Sequence, residues 1–141
     1  MTQEYSQPPR EYRVCHIPYE RDRSRQSSLG VLTIVSNQVN PGEYEYGVAV
    51  CSPGDNFSKR VGRHLAYKRL KSDDHVYRGY VEYHGKKRYI DIKVMIIVDI
   101  LANKQLVLQE WALDALKSEL LECMYNSFLG FNIKPIYKHR G

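Results

Sequence analysis

Tyr44-Glu45-Tyr46-Gly47-Val48-Ala49-Val50-Cys51-Ser52-Pro53-Gly54-Asp55-Asn56 is the stretch on which the fold turns. Its first seven residues are largely β-branched and aromatic, the character of a strand that packs its side chains. Pro53 and Gly54 stop that strand, and Asp55 or Asn56 can cap the amides of a helix that follows. Upstream, Val31-Leu32-Thr33-Ile34-Val35 is a second β-forming run, and Asn40-Pro41-Gly42 supplies turn chemistry between the two, which predicts a hairpin. Downstream, a helix is predicted over Phe57 to Lys71. Phe57, Val61, Leu65, Ala66 and Leu70 fall mostly on one side of it, with Arg60, Arg63, His64, Tyr67, Lys68 and Lys71 mainly on the other. That helix is amphipathic and its polar side is basic.

Farther along, His75 to Tyr83 and Lys86 to Ile92 flank His84-Gly85 and read as a second hairpin rich in tyrosine. Val94 to Leu101 fits both alternation and a buried helix, and helix is preferred. Leu106 to Tyr125 is the second main helix, with Trp111, Leu113, Leu116, Leu120 and Met124 as its apolar residues. Phe131 to Tyr137 reads as an edge strand before the basic end Lys138-His139-Arg140. Residues 1–28 carry three prolines and the charged run Tyr19 to Arg25, and have too few apolar side chains to offset their ordering entropy. They read as a flexible basic arm in which only Tyr12 to Ile17 has strand character. The expected fold is α+β: a small antiparallel sheet of two hairpins packed on two main helices, one domain over 29–141.

The 141 residues are 43% hydrophobic and 26% charged, the balance of one ordinary soluble domain. No apolar run has the length of a membrane span and the amino terminus lacks a signal peptide's apolar stretch, so a cytoplasmic protein without a membrane partner is expected. Cys15, Cys51 and Cys123 are odd in number and lack metal-ligand spacing, which disfavours both a disulfide framework and a zinc site. A formal net charge of +5 favours anionic partners.

Lys59 and Arg60 open the basic helix, where the macrodipole favours acidic residues, and a phosphate seated over that terminus would turn the mismatch into a binding site. The plainer reading is that Asp55 offsets them and solvent takes the rest. Arg69 shares its sector with Leu65, Gly62 and Ala66, where a guanidinium needs a ligand, a carboxylate such as Glu43 or Glu82, or a route to the helix end. Gly62 permits close approach of another backbone or a planar ligand. Tyr77, Gly79, Val81 and Tyr83 would share one strand face and Tyr80 the other, so rings beside Arg78 and Lys87 can stack a base or simply pack. Candidate ligand-binding residues are therefore Lys59, Arg60, Arg63, Arg69, Tyr77 and Tyr80. Asp73-Asp74-His75 lacks metal-ligand spacing, Cys51 and His64 have no shared geometry, and no phosphate-loop or dinucleotide motif occurs. No catalytic residue, metal or cofactor is expected.

Tyr46 to Leu70, the strand, turn and basic helix together, resembles the corresponding segment of phage-encoded anti-Thoeris sponges. These are compact α+β proteins that sequester cyclic ADP-ribose signals of bacterial immunity. The resemblance spans about twenty-five residues and implies a homo-oligomer, active in a bacterial host, that holds a cyclic nucleotide between subunits without cleaving it. Arg63 and Arg69 would then meet phosphate or ribose, with Lys59 and Arg60 at the mouth. The charged arm departs from a compact sponge and keeps two alternatives open: an RNA- or DNA-binding module, and a protein inhibitor of a nucleic-acid-dependent defence enzyme.

Overall fold

Both runs of the first hairpin become long strands because each can bury side chains on two faces at once. In the computed structural model, which describes residues 5–19, 30–52, 58–73, 75–85 and 88–128, β2 (Val31–Asn40) pairs antiparallel with β3 (Glu43–Cys51). Gly42 closes the turn at φ +76°, a conformation that side chains rarely adopt. Residues 31–36 of β2 are all buried, the mark of a strand covered on both faces. β1 (Arg13–Pro18) adds to the free edge of β2, and β4 (Arg78–Glu82) to the free edge of β3, giving the antiparallel order β1-β2-β3-β4. The α+β class holds.

Helices cover both faces. α1 (Lys59–Lys71) lies on one, where Ala66 and Leu70 meet Val35 and Ala49. α2 (Tyr89–Asn103) and α3 (Glu110–Phe128) cover the other, where Ile92, Ile96, Ile97, Ile100, Ala112 and Leu116 pack on Leu32, Ile34, Tyr46 and Val48. Tyr46 is wholly buried and its hydroxyl donates to Asp99 on α2, which ties the middle of the sheet to the helix layer. Gly79 makes room for that ring: a Cβ there would stand 2.1 Å from the Tyr46 hydroxyl. No described helix is long and apolar enough to cross a membrane.

Several expectations change. The second hairpin does not form, because only its first half is a strand and that strand pairs with β3. Residues 89–92 instead open α2, and the helix preferred for Val94 to Leu101 is its continuation. The buried residues Ile92, Ile96, Ile97 and Ile100 recur at helical spacing, and the Arg88 guanidinium donates to both Asp91 carboxylate oxygens (2.8 and 2.9 Å) at the start of the helix. The described residues thus form three helices, the two main ones and a longer version of the one preferred for Val94 to Leu101. α1 begins at Lys59 rather than Phe57, with Ser58 as its cap, accepting from the Val61 amide. Part of the segment assigned to the arm belongs to the fold: Arg13–Pro18 is an edge strand, as the alternation of Tyr12 to Ile17 allowed. The Pro53-to-Phe57 turn with Asp55 and Asn56, the run Glu20 to Arg25, Asp74, and the strand expected over Phe131 to Tyr137 lie outside the described residues.

Gly47 sets the distance between α1 and the sheet. A Cβ at that position would stand 2.2 Å from the Ala66 carbonyl oxygen and 2.7 Å from the Leu70 nitrogen, both backbone atoms that cannot swing aside. Gly47→Ala should therefore destabilise the fold by about 1–3 kcal/mol in urea unfolding, as overpacking does. Gly85→Ala, whose Cβ would meet the side chain of Tyr83, is the control and should stay within about 0.5 kcal/mol of the parent. Equal effects of the two would contradict this packing.

Candidate functional site

α1 carries Lys59, Arg60, Arg63, Lys68, Arg69 and Lys71 and no acidic residue. Its apolar contacts with the sheet hold Ala66 and Leu70 inward, so Lys59, Arg60, Lys68 and Lys71 are exposed and Arg63, His64 and Tyr67 are half-buried. The ion pairs among the described residues are Arg78–Glu45, His84–Glu82, Arg88–Asp91 and Lys93–Glu119, and none of them neutralises a cation of α1. The opposite helix layer has the other sign: α3 bears Glu110, Asp114, Glu119 and Glu122 against Lys117 alone. The sheet therefore separates a basic face from an acidic one.

The amino-terminal segment 5–12 lies along α1 and contributes to this face. The Gln7 side chain donates to the Arg60 carbonyl oxygen (3.0 Å) and accepts from Arg63 Nε (2.8 Å). His64 Nδ1 lies 3.0 Å from the Ser6 carbonyl oxygen, which can only accept, so that nitrogen carries the proton. The Tyr5 ring stands edge-on to His64 with centroids 5.2 Å apart, and the Arg60 guanidinium lies 6.0 Å from its centre. One turn and more along, Tyr12 meets Tyr67 edge-on at 5.5 Å, and the Lys71 ammonium lies 5.6 and 5.9 Å from the two rings. A hydrogen bond to Tyr12 raises the Lys71 pKa, so its charge is secure at neutral pH. His16 on β1 hydrogen-bonds Thr33 Oγ1 at 2.9 Å. Burial first, then the Arg63 and Lys59 cations, lower its pKa.

The six residues singled out from the sequence do not form one site. Lys59, Arg60 and Arg63 stand in the first turns of α1, about 9–15 Å of helix away from Arg69 at 1.5 Å per residue. Arg69 is turned to structure: its Nη1 donates to the Val48 carbonyl oxygen (2.9 Å) and its guanidinium sits 4.0 Å above the Tyr77 ring. Neither Glu43 nor Glu82 is its partner. Tyr80 is exposed on β4, where its hydroxyl donates to Glu43, and that bond pushes its pKa up to about 12. Sequence reasoning missed Tyr5, Gln7 and Tyr12, which carry no local motif, and Arg78, expected beside stacking rings, instead donates its Nε to the Leu70 carbonyl oxygen (2.9 Å) at the end of α1.

Two recesses flank these elements. One of about 120 Å³ lies under the first turns of α1, between Gly62, Leu65 and Ser58 and the sheet residues Thr33, Val50 and Cys51. The larger, about 610 Å³, lies at α3, and Asp114, Glu119 and Glu122 in its wall disfavour a phosphate. Nearby, Lys93 of α2 pairs with Glu119 of α3, beside Cys15 and Cys123. Burial pushes the Cys123 thiol up to about 11, with the Lys93 cation opposing and the Glu119 carboxylate adding, and burial also raises Cys15. These thiols stay protonated at neutral pH and are poor nucleophiles. Among the described residues no cluster of histidine, cysteine and carboxylate groups has the arrangement to hold a metal.

Comparison with protein-family models, curated proteins and solved structures finds no match to this chain.

Two measurements follow from this geometry. Arg69→Met should cost about 1–3 kcal/mol of stability in denaturant unfolding, because the Val48 carbonyl loses its donor; stability unchanged within about 0.5 kcal/mol would contradict the structural role. A thiol raised in the fold stabilises it below the unfolded value near 9 and loses that contribution as pH climbs through about 11. Unfolding free energy of the parent should fall more steeply between pH 9 and 11 than that of Cys123→Ala; parallel curves would refute it.

Proposed function

We propose that the protein binds nucleic acid along the outer face of α1, holding the phosphates of a chain in a row rather than enclosing one nucleotide. The observation that carries the reading is the density of cations on α1: Lys59, Arg60, Arg63, Lys68 and Lys71, none of them in an ion pair with a carboxylate among the described residues. Thirteen helical residues extend about 20 Å, the reach of several successive phosphates. A polymer can engage the whole set, whereas a single diphosphate would leave most of it unused. The role is binding by charge, with no covalent step.

The recess beneath Gly62 supports a second reading, the sequestration of a cyclic nucleotide suggested by the anti-Thoeris resemblance. At about 120 Å³ it is smaller than the ~300–1,000 Å³ of typical small-ligand sites, so a second copy of the chain would have to complete it.

Fluorescence titration with a labelled oligonucleotide across a range of salt separates the two. The chain reading expects affinity to fall steeply with salt, and Arg60→Glu with Lys68→Glu to weaken binding and flatten the log–log slope by about 0.7 per cation removed for a single strand. Absence of oligonucleotide binding at low salt would overturn it. Stoichiometric, salt-insensitive uptake of cyclic ADP-ribose would install the second reading in its place.

A further inference from the structure

Segment 5–12 does more than cover α1. It takes little of the charge it lies beside: Gln7 engages one guanidinium donor of Arg63 out of five, and only the backbone carbonyl of Arg60. What it brings is aromatic surface. Tyr5 stands beside Arg60 and His64, while Tyr12 stands with Tyr67 beside Lys71. The two stations are separated by about seven helical residues, or roughly 10 Å, comparable to the rise of three stacked nucleotides. Ring and cation thus alternate along the same line, so that a chain whose phosphates follow the cations passes its bases over the rings.

From this alternation we infer that the face is selective for single-stranded nucleic acid, with Tyr5 and Tyr12 as stacking platforms delivered by the amino-terminal segment. The inference rests on the reading of α1 as a phosphate-binding face. A duplex keeps its bases stacked inside and offers phosphates only, so it gains nothing from the rings, whereas unpaired bases stack on aromatic side chains regardless of sequence. The rings are amphipathic and half-buried, Tyr5 in a T-shaped pair with His64 and Tyr12 in one with Tyr67, and Tyr12 also packs against the core residues under α1, which sets its plane.

The test uses the full chain with a labelled single strand and the duplex of the same sequence, at one low salt concentration. Tyr5→Leu with Tyr12→Leu should lose at least about tenfold in affinity for the single strand, a loss of one stacked base or more, and leave duplex affinity unchanged. Tyr5→Phe with Tyr12→Phe keeps the rings and should bind as the parent does, which separates stacking from a folding defect. Equal weakening toward both nucleic acids, or Leu variants that hold the single strand as tightly as the parent, would overturn the stacking role while leaving phosphate binding by α1 standing. Failure of the parent protein to bind either nucleic acid would overturn both.

Discussion

The contact between the α1 backbone and β3 at Gly47 governs the rest of the molecule. With no side chain at that position, the helix settles onto the sheet until its own carbonyl and amide groups lie where a Cβ would otherwise be. Ala66 and Leu70 are then inward by necessity, and every other direction around the helix is fixed with them. Two guanidinium groups complete the seating. Arg69 reaches from α1 to a carbonyl of β3, and Arg78 reaches from β4 to a carbonyl of α1, so the end of the helix is latched to the sheet from both sides. Of the cations that remain on α1, Lys59, Arg60, Lys68 and Lys71 are exposed and Arg63 is half-buried beside Gln7.

That orientation turns a modest overall charge into a strong local one. The net charge of +5 would mean little if spread evenly, but the sheet keeps the six cations of α1 apart from the acidic residues of α3. Phosphates approaching from the α1 side meet positive potential, and the larger recess by α3 presents carboxylates to them. The amino-terminal segment then adds rings to a surface already defined by charge. Its hydrogen bonds to α1 are few and exposed, each worth about 0.5–1.5 kcal/mol at most, while ordering a residue costs about 1–2 kcal/mol. Tyr12, packed on the core residues under α1, anchors the end of the segment next to β1.

Much of the architecture was legible because local signals agreed. Two β-branched runs around Asn40-Pro41-Gly42 could only be a hairpin, and the apolar stripe of Leu65, Ala66 and Leu70 announced which side of the basic helix would be buried. The second hairpin was misread because the segment from Ile90 to Leu101 is apolar at nearly every position and satisfies both periods. What decides it is the Arg88–Asp91 fork at the helix start and the sheet face that Ile92, Ile96, Ile97 and Ile100 cover. The candidate site divides in the same way. The outward direction of Arg60, Lys68 and Lys71 follows from helical geometry alone. Arg69 was rightly marked as anomalous, yet its partners Val48 and Tyr77 come from a strand and a loop whose meeting depends on the fold. Tyr5 and Tyr12 acquire meaning only when β1 joins the sheet and draws the preceding residues along α1.

The most direct measurement is an amide-resolved NMR titration of the protein with an unpaired oligonucleotide. The account predicts that chemical-shift changes concentrate on α1 and on residues 5–12, with α3 and its acidic recess silent. Changes centred on α3, or none anywhere at saturating oligonucleotide, would contradict it.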